Sequence, residues 1–342
     1  MALRLAIVGT GWAGCRQAEA VGELDGSVEL AAFSDSDEQA LREAAERFGV
    51  GTVSTDYSQL LADPRIDAVS ICLPHALHAD AAIQAAQAGK HVLCEKPIAL
   101  TVAEGIRMRD AAQAAAVKLY VAENAVYTDE TRALQALVGR TKEIGDVVFV
   151  TVVRGFRTTR YAYDGRRAWL ARPELGGTGT LMLHGIHTVA QIRAVVGEIR
   201  SVSLTASASP RFENRDVEGS ACGTLVTAAG YPVLLAQTCE SDLPGETGGW
   251  VVYGNQGTAR AHGETVELVS RDGIVPYDYT PPDRLSSYAR ELESFARHVA
   301  GSDGPTDADS ELRSLAVVEA GYESIRTGRS IDLVEKYPTL YR

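Results

Sequence analysis

The chain has 342 residues, 45% hydrophobic and 23% charged. These are globular proportions that exclude wholesale disorder and fibrous repeats and leave room for two domains. Lys+Arg 33 against Asp+Glu 45 gives a net charge of −12, which repels phosphate backbones and anionic membrane surfaces, and no basic patch offsets it. Neither nucleic acid nor membrane is expected as a partner. The five cysteines (Cys15, Cys72, Cys94, Cys222, Cys239) are scattered without a C-x-x-C pair, which argues against a secreted disulfide framework or zinc ribbon and for a reducing cytoplasm. The apolar run at residues 3–8 passes directly into glycines and reads as a strand rather than a signal peptide, and no apolar stretch approaches the length of a membrane span.

In chain order, residues 3–8, 28–34, 66–73, 90–95 and 117–122 read as strands separated by Ala-rich helical patterns. That alternation predicts a parallel, doubly wound α/β sheet. After about Tyr127 the texture changes. Segments 146–156, 199–208, 217–228, 231–241 and 249–270 are rich in Val, Thr and Leu with Gly and Pro between them, as expected of consecutive antiparallel strands. Helical patterns return at 285–300 and 309–327, so the second region reads as α+β.

Gly9-Thr10-Gly11-Trp12-Ala13-Gly14 follows the first strand and opens a helical segment, the context in which G-x-G-x-x-G carries meaning. Gly9 allows the tight turn, Gly11 lets a pyrophosphate approach the backbone, and Gly14 lets helix and strand pack closely. Asp35 stands 21 residues after Gly14, at the end of the next strand, where its carboxylate can bond ribose hydroxyls. Ser36 and Asp37 follow it, so a 2′-phosphate would meet carboxylates, and NAD is expected rather than NADP. An arginine brought in by the fold, such as Arg42, is the route by which NADP would still be accommodated.

Cys94-Glu95-Lys96-Pro97 closes the fourth strand. Ligands of open α/β sheets bind beyond the carboxyl ends of the strands, so topology puts Lys96 at the crevice, where a lysine can exchange a proton with an alcohol or alkoxide. The pairs His75/His78 and His184/His187 have H-x-x-H spacing, but no H-E-x-x-H occurs and no metal is expected. Arginines and aromatics interleave between residues 154 and 169, and Arg157, Tyr163 and Trp169 are candidate substrate neighbours.

Together these motifs resemble the Gfo/Idh/MocA oxidoreductases. The similarity runs from the glycine loop through Pro74-His75-Ala76-Leu77-His78 and Glu95-Lys96-Pro97 to Gly176-Gly177-Thr178-Gly179-Thr180-Leu181-Met182-Leu183-His184-Gly185-Ile186-His187, and on to Ala320-Gly321-Tyr322-Glu323-Ser324. It implies an N-terminal Rossmann domain over residues 1–123 and a C-terminal α/β domain over 124–342 with a large open, mostly antiparallel sheet that pairs subunits into a homodimer or homotetramer. It also implies hydride exchange between nicotinamide and a hydroxyl-bearing carbon of a sugar, inositol, glycoside or related polyol.

By the same resemblance, Lys96 is the acid/base group, with His187 and His184 as further catalytic and substrate candidates and Asn124 as a substrate neighbour. Gly9, Gly11, Trp12, Ala13, Gly14, Asp35, Ser36, Leu73, Pro74, His75, His78, Glu95 and Lys96 would line the cofactor. Two aspartates of the family pattern are replaced, by Leu183 and Ala190. Two other functions therefore stay open: a catalytically silent NAD-binding sensor or assembly partner, and an enzyme that retains NAD for redox-assisted elimination, hydrolysis or epimerisation.

Overall fold

A computed structural model of the chain describes residues 2–141, 143–155, 169–170, 172–176, 179–209, 217–243, 247–263 and 265–341. Two compact units emerge, one of residues 1–127, 174–176 and 283–312, the other of 128–173, 177–282 and 313–342. The first opens with β1 (Leu3–Val8), α1 (Trp12–Val21), β2 (Val28–Ser34), α2 (Glu38–Phe48), β3 (Val53–Ser54) and α3 (Tyr57–Leu61), followed by β4 (Ala68–Ile71), α4 (His78–Gln87), β5 (His91–Glu95), α5 (Val102–Ala114) and β6 (Leu119–Ala122). The strands form one parallel sheet in the order β3-β2-β1-β4-β5-β6. This is the doubly wound sheet expected from the alternating pattern. β3, only two residues long, is too short for a periodicity to reveal.

β1, β4 and β6 are largely apolar because both faces of this sheet are covered; Leu5, Ala6, Ile7, Val121 and Ala68 are fully buried. Several of the helices begin on side-chain caps. Asp37 accepts from the Gln39 and Ala40 amides at the start of α2, and Thr101 and Glu104 form a reciprocal capping box on α5, satisfying amides that a first turn leaves without partners.

The second unit contributes α6 (Asp129–Gln135), β7 (Val147–Gly155), most of α7 (Pro173–Gly176) falling back to the first unit, then α8 (Ile186–Val196), β8 (Ile199–Ala208), β9 (Glu218–Thr227) and β10 (Pro232–Thr238). After these come β11 (Gly249–Gly254), β12 (Thr258–His262), β13 (Thr265–Ser270) and β14 (Gly273–Pro276), then α9 (Ser287–Val299), α10 (Ala308–Thr327), β15 (Ile331–Asp332) and α11 (Leu333–Lys336). Nine strands join in the order β14-β13-β12-β11-β7-β10-β9-β8-β15.

The sheet is not a simple succession of antiparallel neighbours. β7, the first of its strands in the chain, lies in the middle and pairs parallel with β10; a parallel pair needs a long connection, here the stretch that includes α8, β8 and β9. Alternation gives the sheet one buried face with Val150, Val152, Val233, Leu235, Trp250 and Val252. Thr151, Leu234 and Val251 take the other, with Phe149 and Tyr253 stacked at 4.1 Å.

The segment 283–312, which the sequence reading places in the second region, clusters with the first unit. The reason is the apolar stripe of α9: Ala289, Leu292 and Phe295 pack into one core with Leu5, Val28, Leu93 and Tyr120.

Candidate active site

Strand order reverses direction on either side of β1, and the loops after β1 and β4 leave the sheet in opposite senses, the position where open α/β sheets bind ligands. Gly9 has φ +100°, and a Cβ there would stand 2.4 Å from the Cys72 carbonyl oxygen; one on Gly14 would stand 2.0 Å from the Gly9 carbonyl oxygen. Gly11 differs: a Cβ there would meet nothing within 4 Å, so its missing side chain leaves open space rather than relieving internal contact. The first turn of α1 carries no acidic residue and no side-chain cap, leaving its amides and positive dipole end for an anion. These features fit a dinucleotide pyrophosphate.

Asp35 ties this loop to β2. Its Oδ2 accepts from the Thr10 amide at 2.7 Å and hydroxyl at 2.8 Å, and its Oδ1 from the Asp37 amide at 3.0 Å. Arg42, the expected route to NADP, reaches toward Glu38 at 3.4 Å on the surface of α2. Trp12 is exposed, with its ring edge-on to Tyr288 at 6.2 Å and the Arg16 guanidinium 5.7 Å from the ring centre.

The loop after β4 turns its histidines inward. His75 is buried, with Nδ1 2.6 Å from the Gly176 carbonyl oxygen; burial holds its imidazole well below the ordinary pKa, so it is neutral and donates from Nδ1. His78 is fully buried, with Nδ1 2.9 Å from Pro97 O and Nε2 2.9 Å from Leu73 O. Both ring nitrogens thus face backbone carbonyls, one on the loop after β4 and one just beyond β5, and His78 opens α4.

Lys96 leaves the end of β5 between carboxylates. Glu95 Oε1 accepts from Gln17 Nε2 at 2.9 Å, and Gln17 in turn accepts from the Ser70 hydroxyl. Glu123, just beyond β6, is fully buried and accepts from the Ala125 amide at 3.0 Å. Burial pushes both carboxyls up to about 7, while the Lys96 charge pulls each of them down. Asn124 donates to the Ser287 hydroxyl at 3.1 Å.

In the second unit, His184 lies in a π-helical turn, Leu181–Gly185, that runs into α8, which carries His187. The histidines are three residues apart on continuous helix, and so near one face. Leu183 and Ala190, at the positions of the missing acids, are buried. A carboxylate that sequence reasoning missed stands close by: Glu218 Oε1 accepts from the Leu181 amide at 2.8 Å and the Tyr322 hydroxyl at 2.9 Å. Of the substrate-loop candidates, Arg157 and Tyr163 lie outside the described residues and Trp169 within them. Among the described residues no group of three or more His, Cys, Asp or Glu side chains is placed to hold a metal, and no helix is long and apolar enough to cross a membrane.

Residues 3–123 match the model of an oxidoreductase family with an NAD-binding Rossmann fold, and residues 131–260 match the GFO/IDH/MocA C-terminal domain. The chain belongs to the Gfo/Idh/MocA family. It is 32% identical to D-xylose 1-dehydrogenase (NADP(+)) 2 of Haloferax volcanii, over 89% of this chain and 92% of that one. It is 29% identical to D-apiose dehydrogenase of Paraburkholderia graminis, over 96% and 89%. Among solved structures, the WlbA dehydrogenase of Bordetella pertussis in complex with NADH and UDP-GlcNAcA superposes with a TM-score of 0.82 at 26% identity, covering 97% of this chain and 99% of that one.

For a Gfo/Idh/MocA chain, the carboxyl groups missed by sequence reasoning share a cause. Glu123, Glu218 and Glu291 carry no motif, and only the packing of β6, β9 and α9 makes them buried.

Proposed function

We propose that this Gfo/Idh/MocA oxidoreductase is an NAD(H)-dependent dehydrogenase or reductase acting on a hydroxyl-bearing carbon of an aldose, inositol or related cyclic polyol. The observation that carries the reading is Lys96 at the carboxyl end of β5, two strands from the glycine loop and between Glu95 and Glu123. Bound nicotinamide would supply the hydride acceptor or donor. The chain's part is to hold and aim: Gly9, Gly11, Gly14 and the first turn of α1 receive the pyrophosphate, and Asp35 the adenosine ribose. Lys96 takes the proton from the reacting hydroxyl in oxidation and returns it in reduction, a role worth roughly a hundredfold or more in rate. His184 and His187 are the further candidates for handling the substrate hydroxyl.

The preference for NAD is supported by Asp35, Asp37 and Glu38 clustering where a 2′-phosphate would sit and by Arg42 pairing with Glu38. The Haloferax relative is named for NADP(+), so cofactor choice needs its own measurement. Titration calorimetry should give tighter binding of NADH than NADPH. A panel of D-xylose, D-apiose, myo-inositol and levoglucosan, followed by NADH absorbance, tests the substrate class. NADH binding with no turnover on cyclic polyols or aldoses would select the silent sensor instead, a reading favoured by Leu183 and Ala190.

The partly apolar open face of the nine-stranded sheet supports self-association through the second unit, as a homodimer or homotetramer, and the lack of disulfides among the described residues supports a cytoplasmic setting.

A further inference from the structure

Beside Lys96 lies a third acid that the proposed reaction leaves unused. Glu291, on the inner face of α9, is fully buried, and neither of its carboxylate oxygens has a hydrogen-bond partner. Its charged neighbours are Glu95 at the end of β5 and Glu123 beyond β6. Three elements thus bring three carboxyl groups into one electrostatic neighbourhood beside Lys96; Glu123 and Glu291 are fully buried and Glu95 is half-buried. The other titratable groups facing this cluster are Tyr288 on α9, Cys72 after β4 and Cys94 on β5, and Arg16 on α1 stands near Tyr288. None of them gives Glu291 a hydrogen bond.

An ionised carboxylate buried without a hydrogen bond and beside two other carboxylates is too costly to persist; such a group takes up a proton. One lysine cannot neutralise three crowded negative charges. We propose that Glu291 is a positioning residue that completes a three-carboxyl proton store beside Lys96, keeping at least one proton in the cluster so that Glu95 or Glu123 can accept the next one from the lysine.

In the oxidative direction the substrate O–H bond breaks as an N–H bond forms on neutral Lys96. The resulting ammonium then loses a proton to a Glu95 or Glu123 carboxylate, forming a carboxylic O–H and restoring the neutral amine. No electrons move in this relay, and in reduction each transfer reverses. Groups this closely coupled titrate as one unit with shared apparent pKa values. Burial raises all three carboxyls, Glu95 and Glu123 to about 7 and Glu291 well above its ordinary value.

The inference rests on Lys96 being the acid/base group, and its first test is independent of that assignment. Infrared titration of the wild-type protein between pH 5 and 9, without substrate, should show a carboxylic-acid C=O band that persists at pH 7. The band should weaken in Glu291→Gln and survive in Glu218→Gln, which removes the buried carboxyl of the other unit. Absence of the band at pH 7 in the wild type overturns the proposal, and so does a band that Glu218→Gln removes and Glu291→Gln leaves intact.

The second test uses the best substrate of the panel. Glu291→Gln should move the cluster's limb of the kcat pH profile to lower pH by about one unit, because removing one member lowers the highest apparent pKa of the set, with KM nearly unchanged. A profile that superimposes on wild type overturns the proposal. Should Glu291→Gln fail to fold, the wild-type titration still decides. If Lys96→Met keeps full turnover while the acid band is present, the Lys96 assignment fails and the cluster stands.

Discussion

Lys96 occupies a place that two neighbouring glutamates make electrostatically special, and the consequence is a sharp expectation. Lys96→Met should lower kcat/KM by about a hundredfold or more, the usual effect of losing a general acid/base, while calorimetry finds NADH affinity close to wild type. Retained turnover would remove Lys96 from the chemistry. Asp35 is the residue proposed to hold the adenosine ribose. Because it also anchors Thr10 of the glycine loop, Ser36→Arg alone is the cleaner probe of specificity: it should tighten NADPH binding and leave Tm nearly unchanged, whereas Asp35→Ala should cost stability and NADH affinity together.

Among elements, the β1–α1 loop separates two uses of glycine. Gly14→Ala drives a Cβ to within 2.0 Å of the Gly9 carbonyl oxygen, a backbone collision that should lower Tm markedly. Gly11→Ala meets nothing within 4 Å and should fold with an unchanged Tm, yet weaken NADH binding at least tenfold, because the methyl group fills the space left for the pyrophosphate. Equal Tm losses in the two variants would contradict this division. The helix carrying His184 and His187 depends on Glu218 at its start. Glu218→Ala leaves the Leu181 amide and Tyr322 hydroxyl without their shared acceptor, a loss of about 1–3 kcal/mol that denaturant titration should register.

For the whole molecule the buried ionisable groups set a direction for stability with pH. Glu95 and Glu123 are raised from 4.5 to about 7, and Glu291 is raised well above 4.5, so the folded state holds protons that the unfolded chain has released. Stability from this source is complete below about 4.5 and is lost as pH rises through 7. Burial lowers His75 and His78, which works the opposite way, but only below the ordinary histidine value of 6.5. Above 6.5 the carboxyl effect is unopposed. By linkage, Tm should therefore fall between pH 6.5 and 8.5, and Glu291→Gln should flatten the decline; a Tm that rises over that interval would contradict the assignment of protons to these carboxyls. Self-association belongs to the same scale. If the chain self-associates through this sheet as proposed, Leu234→Glu, on its open face, should shift light scattering to the monomer mass without unfolding the chain.

Local pattern sufficed for much of this protein. The period of apolar runs foretold the parallel sheet, and with it the positions of the glycine loop, Asp35 and Lys96 at or just beyond strand ends, because alternating strands and crossover helices fix where each strand stops. Non-local contacts decided the rest. β7 enters the middle of its sheet through a parallel pairing with a strand some eighty residues later, and α9 returns to the first unit because its apolar stripe completes that core; neither follows from any short window of sequence. His78 shows the same limit at a single residue, since the packing of both its nitrogens against the Leu73 and Pro97 carbonyls cannot be read from its motif. Glu123, Glu218 and Glu291 are ordinary acids in the sequence. Their desolvation, and the shared protons that follow from it, exists only once distant elements have packed around them, because the energy of a charge depends on what surrounds it in space rather than along the chain.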